Sequence, residues 1–168
     1  MPIQSLSHLP SGCSVYLDAN VFVYGGDGRS PQCAALMERC SQEEITGVTL
    51  FETVNEATHR FMLIEAEERG FIQQRSAKAL RAKPGLILRL HEYWQRTELL
   101  LKMNLLFVAA DEMLLRQAQV ERASFGLLTN DSLIVACMRH LGIPFIASND
   151  EDFSAISGIT LFRPDDLP

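Results

Sequence analysis

No stretch of the 168 residues is apolar for long enough to cross a bilayer, and residues 1–10 carry neither a basic start nor an apolar run of signal-peptide length. These absences lead to the expectation of a soluble, cytoplasmic protein with no membrane association. The four cysteines, Cys13, Cys33, Cys40 and Cys137, form no C-x-x-C pair and lack histidines nearby at ligand spacing, so neither a zinc site nor a disulfide framework is expected. Positive charge is also scarce. Fifteen Lys and Arg stand against 21 Asp and Glu, a net charge of −6, which argues against nucleic-acid binding through an overall basic field. Internal repeats and linkers are missing, and 47% hydrophobic residues leave little scope for disorder beyond the two ends. The length fits one domain over residues 1–168, large enough to bury a core without metals or disulfides to staple it.

What the sequence does contain is one abrupt transition, Val15-Tyr16-Leu17-Asp18-Ala19-Asn20. Three strand-forming apolar residues meet an acid and an amide where the strand should end, so a buried strand delivers a carboxylate to its own tip. In an open α/β sheet the strand tips line the crevice where ligands bind, and Asp18 becomes the first candidate ligand of a metal pocket.

The pattern predicts strands over 14–17, 45–48, 105–108, 144–147 and 159–162, the last at a sheet edge. Gly25, Gly26 and Gly28 mark a loop after the first strand. A helix over 31–40 has Ser30 as its N-cap and Pro31 in its first turn. Another over 50–69 shows Phe51, Val54, Thr58, Phe61, Met62 and Glu65 at helical spacing and stops at Gly70. Further helices are expected over 72–82, ended by Pro84, and over 86–102, with Leu90, Trp94, Thr97 and Leu101 along one face. Asp111 caps a helix to about residue 123, and Asp131 begins one to about residue 141. Strands alternating with helices mean an α/β fold, a three-layer α/β/α sandwich around a mostly parallel central sheet of about four to five strands. The helices between Glu52 and Leu105 exceed what one crossover needs, so part of that segment is expected to protrude.

Acids recur where strands end or helices open: Asp18, Glu52 after the second strand, Asp131, and Asp150 with Asp152 after the fourth strand. Singly, each has a structural explanation as a cap, a turn residue or a favourable charge near a helix N-terminus. Gathered on one edge of a sheet they would repel, and they stay ionised near neutrality only around a cation. Oxygen ligands with few usable nitrogens favour Mg2+ or Mn2+ over zinc. Such an ion helps generate hydroxide and neutralises charge on a phosphoryl group, which suits phosphodiester hydrolysis.

From Arg69 to Arg89 six basic residues, Arg69, Arg75, Lys78, Arg81, Lys83 and Arg89, occur without an acid. They read either as a solvated helix face answering Glu65, Glu67 and Glu68 or as a groove that holds a phosphate backbone. His91 and His140 have no partner at ligand spacing, and His59 reads as a surface or core histidine. Trp94 is expected in the core rather than beside Tyr93 as a base-stacking platform.

The L-D-A-N strand end, the acid opening a helix beside a short strand, and two later segments together resemble the PIN (PilT N-terminus) domain, and among its bacterial members the VapC-type toxins. Those segments are Gly126-Leu127-Leu128-Thr129-Asn130-Asp131-Ser132-Leu133-Ile134-Val135-Ala136 and Ile146-Ala147-Ser148-Asn149-Asp150-Glu151-Asp152-Phe153. The resemblance covers most of the chain, is specific in these segments, and is weak between Arg69 and Leu101. It implies an endoribonuclease dependent on Mg2+ or Mn2+, whose acidic ligands match Asp18, Glu52, Asp131 and Asp150. Asp152 is the alternative to Asp150, which is preferred because it comes sooner after its strand. Asn20, Thr129 and Asn149 would be polar residues of the pocket. An RNA substrate, an antitoxin partner and a homodimer are implied as well. Asp18, Asp131 and Asp150 would hold one ion and Glu52 support it or a second, while the basic stretch grips single-stranded or looped RNA.

Two rival classes are weighed against this. An aspartate-based phosphatase would use Asp18 as a nucleophile, but needs a lysine late in the chain, and the last is Lys102. A non-catalytic RNA- or protein-binding module would keep the fold without cutting, and the full set of acids argues against it.

Overall fold

Val15 and Leu17 point to one side of their strand and Tyr16 to the other, and all three are fully buried. A strand covered on both faces belongs to the middle of a parallel sheet. A computed structural model, which describes residues 3–167, bears this out. Among the described residues six strands, β1 (Gln4–Ser5), β2 (Ser14–Leu17), β3 (Thr46–Leu50), β4 (Leu105–Val108), β5 (Phe145–Ala147) and β6 (Thr160–Arg163), line up in the order β1-β6-β5-β2-β3-β4. Every neighbouring pair is parallel. Tyr16 stands opposite Val48 on one side and Ile146 on the other, so the three side chains share a face.

Helices cover both faces. α1 (Ala19–Gly26), α2 (Pro31–Ser41) and α3 (Phe51–Glu68) contribute Val21, Phe22, Cys33, Leu36, Val54 and Phe61 to the core that holds Val15 and Leu17. α7 (Glu112–Phe125) and α8 (Thr129–Leu141) cover the opposite face, where Leu114, Ala118, Ile134 and Met138 pack with Tyr16 and Ile146. The three-layer α/β/α sandwich is therefore present, with more strands than expected. The additional one is β1, a dipeptide too short for any sequence pattern. It pairs with β6, so the strand expected at the edge is flanked on both sides, and the edges are β1 and β4.

The segment read as a loop after the first strand is helix α1. Asp18 caps it, and burial of Val21, Phe22 and Val23 outweighs the poor helix propensity of Gly25 and Gly26. Gly25 also lets α2 approach closely: a Cβ there would stand 2.6 Å from Met37 Sδ and 3.1 Å from the Ala34 nitrogen.

Between Glu68 and Leu105 the two expected helices shrink to α4 (Ala77–Arg81), α5 (Pro84–Ile87) and α6 (Glu92–Leu101). Ser76 delays the first by capping at Ala79 N, and Pro84 opens a new turn as well as closing the previous one. Leu63, Ala66, Ile72, Leu80 and Leu90 form a separate small core beneath this segment. Glu65 ties it down. Fully buried, its carboxylate accepts His91 N at 3.0 Å, Tyr93 N at 2.9 Å and Arg69 Nη1 at 3.1 Å. Because α6 starts at Glu92, its inward face runs through Tyr93, Thr97 and Leu100. Trp94 falls one step off that face and is 49% exposed, not in the core as expected.

Candidate metal centre

The sheet reverses its direction of growth at β2, since β3 and β4 extend it one way while β5, β6 and β1 extend it the other. Such a switch point leaves a crevice at the strand ends. Asp18 follows β2 there, and Ser148, Asn149 and Asp150 follow β5. An open cavity of about 360 Å³ occupies the crevice, lined by Asp18, Asn20, Tyr24, Glu56, Arg60, Asp131, Ile134, Asn149, Asp150 and Glu151.

Asp18 is held from several sides. Its Oδ1 accepts Ala19 N at 2.6 Å, and its Oδ2 accepts Asn20 Nδ2 at 2.5 Å and Ser148 Oγ at 2.6 Å. A carboxylate offers about four lone-pair sites, so three hydrogen bonds fix its orientation and leave room for one further partner. Asn20 Nδ2 also reaches Ser148 Oγ at 3.0 Å, its Oδ1 accepts Asn149 N at 3.0 Å, and Ser148 Oγ accepts Asp150 N at 3.0 Å. This network stitches the tip of β2 to the tip of β5. Arg163 extends it by donating to Asn149 Oδ1 at 3.0 Å.

α3 forms another wall. Tyr16 on β2 sends its hydroxyl into the first turn of α3, 2.6 Å from Thr53 Oγ1 and 3.2 Å from Leu50 N, which sets the helix against the sheet. Glu56 and Arg60, one turn apart, then face the cavity. The expected position for the wall was Glu52. That residue is exposed and lies in a small adjoining recess with Leu50, Thr53 and Asn130, which shares Glu56 and Ile134 with the cavity. Asp131 occupies the first turn of α8, whose cap residue is Leu128 with no side-chain capping bond. Its carboxylate makes no hydrogen bond among the described residues, so the capping explanation does not hold for it.

Asp150 lines the cavity, whereas Asp152 is exposed outside the lining and donates its N–H to Asp150 Oδ1 at 2.9 Å. Asn20 and Asn149 stand where they were expected. Thr129 does not: it is exposed, and its carbonyl accepts Ser132 Oγ at 2.8 Å. Sequence reasoning missed Ser148, Glu56, Arg60, Tyr24 and Glu151. Ser148 and Glu151 left a signal, as members of the Ser148-Asn149-Asp150-Glu151 segment.

Of the basic stretch, Arg69 pairs with Glu65 and Arg75 with Glu67, the latter at 2.7 Å, and Lys83 Nζ donates to the Phe71 carbonyl at 2.8 Å. Arg89 and Arg69 lie over the Phe71 ring at 4.9 and 5.0 Å. Lys78 and Arg81 are exposed and make no ion pair among the described residues. Most of the stretch holds its own segment together.

The electrostatics of the cavity fit a hard dication. Burial pushes the Asp18 carboxyl up to about 6, against its hydrogen bonds from Ser148 and Ala19; Glu56 adds to the rise and Arg60 opposes it. Burial also raises Asp131, reinforced by the negative charges of Asp150, Asp152 and Glu56. Buried acids raised by neighbouring carboxylates are the donor set a divalent cation relieves. Among the described residues, the His, Asp and Glu group whose ligand atoms fall within 4.8 Å of one another is Glu65, His91 and Glu92, away from the cavity, with Glu65 already committed to the start of α6. Among the described residues the cavity acids do not form a group that close. The lining contains no lysine, which an aspartyl-phosphate site would need.

A pH effect follows. Asp18 has its carboxyl raised in the fold, so its contribution to metal-free stability is intact below about pH 4 and lost by about pH 6, worth about 3 kcal/mol. A bound dication reverses the preference by favouring the ionised form. Thermal melts should show a larger stabilisation by Mn2+ near pH 7.5 than near pH 5; equal shifts at both values would contradict this placement of Asp18.

An all-parallel α/β sheet with a carboxylate-lined crevice at its switch point defines an acidic-pocket α/β protein. The chain belongs to the PIN domain family, whose model matches residues 15–159. No curated protein matches it. Similar solved structures include VapBC2 from Rickettsia felis bound to a DNA fragment from their promoter, 13% identical over 90% of this chain and 99% of that one, with a TM-score of 0.62. A toxin-antitoxin complex from Klebsiella pneumoniae is 16% identical over 86% and 94%, with a TM-score of 0.56. VapC20 of Mycobacterium tuberculosis, a Sarcin-Ricin loop cleaving toxin, is 15% identical over 84% and 93%, with a TM-score of 0.53. At these identities the likeness establishes the fold. No helix among the described residues is long and apolar enough to cross a membrane.

Proposed function

We propose that the chain is a single-domain endoribonuclease that depends on Mg2+ or Mn2+, and the toxin of a toxin-antitoxin pair. The observation that carries this reading is the cavity at the switch point, where Asp18, Asp131, Asp150 and Glu56 converge, and where burial and the neighbouring negative charges raise the proton affinity of Asp18 and Asp131. Asp18, Asp131 and Asp150 hold the ion. Glu56 takes the wall position, and Glu52 supports a second ion from the adjoining recess. When bound, such a cation would neutralise charge on the scissile phosphate and lower the pKa of water, so that hydroxide is available near neutral pH to displace the leaving oxygen at phosphorus.

The protein's own groups do the rest. Asn20 and Ser148 fix the orientation of Asp18, and Asn149, held by Arg163, keeps the β5 loop against it. Arg60 is the cation of the lining and faces the phosphate as it enters. The toxin-antitoxin assemblies among the similar structures support an antitoxin partner, and a homodimer of the domain belongs to the same reading. Four free cysteines support a reducing, cytoplasmic setting.

Purified protein incubated with mixed single-stranded and structured RNAs should cut them in Mg2+ or Mn2+ and stop cutting in excess EDTA. Undiminished cutting in EDTA would overturn the metal site, and no cutting under any condition would leave a non-catalytic PIN module as the better reading.

A further inference from the structure

Beside the acidic cavity lies a second recess of about 240 Å³, lined by Val23, Arg29, Arg60, Leu63, Ile64 and Arg75. Arg60 lines both, so the two are contiguous. Three arginines line it together with an apolar floor in which Val23, Leu63 and Ile64 are buried. They are brought there from three places in the chain, the turn after α1, the middle of α3 and the loop before α4.

Two of these arginines are anchored in the same way. Arg29 Nε binds Asp27 Oδ2 at 2.6 Å, and Arg75 Nε binds Glu67 Oε2 at 2.7 Å. In each case a carboxylate takes the inner nitrogen, and the terminal Nη groups make no hydrogen bond among the described residues. Arg60 is looser still, 4.0 Å from Glu56 with no hydrogen bond. Arg29 and Arg60 also flank the Tyr24 ring, at 4.6 and 5.9 Å from its centre, and Tyr24 lines the acidic cavity. A guanidinium held by Nε presents its outer fork in a fixed plane, the geometry that matches two oxygens of one phosphate.

We infer that Arg29, Arg60 and Arg75 form a subsite for a phosphodiester of the RNA strand next to the one being cut. The inference rests on the ribonuclease reading and adds to it what holds the strand. A negative cavity repels the polyanion it must admit, and an adjoining positive recess offsets that repulsion while fixing which phosphate comes to the acids. Of the basic stretch noted in the sequence, Arg75 alone takes part. Its two partners lie outside that stretch.

The test is binding of a short 5′-fluorescein-labelled single-stranded RNA in Ca2+, read by anisotropy across a salt series, for Arg29→Ala, Arg75→Ala and the double variant. Each single change should raise Kd about five- to tenfold. The double variant should flatten the slope of log Kd against log salt by about 0.7, the loss of one single-strand phosphate contact. Mn2+ binding by all three should match wild type. Arg29→Lys and Arg75→Lys keep the carboxylate pairings, retain the fold if the alanine variants do not, and should still bind RNA less tightly because a lysine cannot chelate a phosphate. Wild-type Kd and slope in the variants would overturn the subsite while leaving the ribonuclease reading intact. A fall in Mn2+ affinity would also overturn it, since the arginines would then be acting on the acids. RNA held in an arginine-dependent way by a protein that cuts nothing would sink the ribonuclease reading alone and keep the anion subsite.

Discussion

Asp131→Asn is expected to lower RNA cleavage at least about tenfold and, in the same protein, to raise metal-free stability by about 1 kcal/mol. The loss is bounded from below because removing even an outer partner of a metal ligand costs about 10- to 100-fold, and a direct ligand costs no less. The gain has a separate cause. The Asp131 carboxylate makes no hydrogen bond among the described residues, and the residue is half-buried and pushed towards its protonated form by burial and by Asp150, Asp152 and Glu56. An amide of the same shape removes that repulsion and breaks nothing. Asp18→Asn should lose cleavage equally but gain no stability, since its new amide would turn a donor towards Asn20 Nδ2, which is itself a donor. Cleavage rates with thermal melts in EDTA separate the two. If Asp131→Asn cleaves as wild type, Asp131 is not a ligand; if it melts lower than wild type, the repulsion argument is wrong.

The largest stability effect should come from Glu65→Ala, a loss of about 3 kcal/mol. The native carboxylate is fully buried, and burial alone would raise its proton affinity, yet the N–H groups of Tyr93, His91 and Glu92 together with Arg69 hold it below the usual range. Removing it leaves the first N–H groups of α6 unpaired in a half-buried place and Arg69 without its partner. Exposed pairs such as Arg116 with Glu112 are worth at most about 1 kcal/mol, so their loss should be hard to detect beside it. Hydrogen exchange should show the loss concentrated in residues 77–101, with the sheet protected. A uniform loss of protection would mean that this segment is not a separate unit.

Much of the site was legible because its acids sit at strand tips. Asp18 and Asp150 each follow a short apolar run, and the position of a strand's end is a local property of the sequence. The choice between Glu52 and Glu56 was not local. Residues four apart share a helix face, so periodicity places both, and Arg60 after them, on one stripe without saying which turn overlooks the crevice. That is decided by the docking of α3 through Tyr16 and Thr53, a contact between residues 37 positions apart. Tyr24 and Arg29 were hidden for another reason. Glycine near the end of α1 reads as a break, and only the burial of Val21 and Phe22 and the close approach of α2 make that segment helical. The strand order was likewise out of reach, since a dipeptide such as β1 carries no pattern.

The bond between Ser148 Oγ and Asp18 Oδ2 joins residues 130 positions apart. As the chain leaves the ribosome, β2 can pair with β3 early, but its other neighbour is β5, which emerges after every helix of the three layers. Pairing at such separation is slow, because the entropy of closing the loop is spent before any contact forms. A nascent chain halted before residue 145 already carries Asp18, Glu56 and Asp131, yet has no second wall to its crevice. Throughout synthesis the acidic crevice is a half-built wall, and it closes only when the last strands dock.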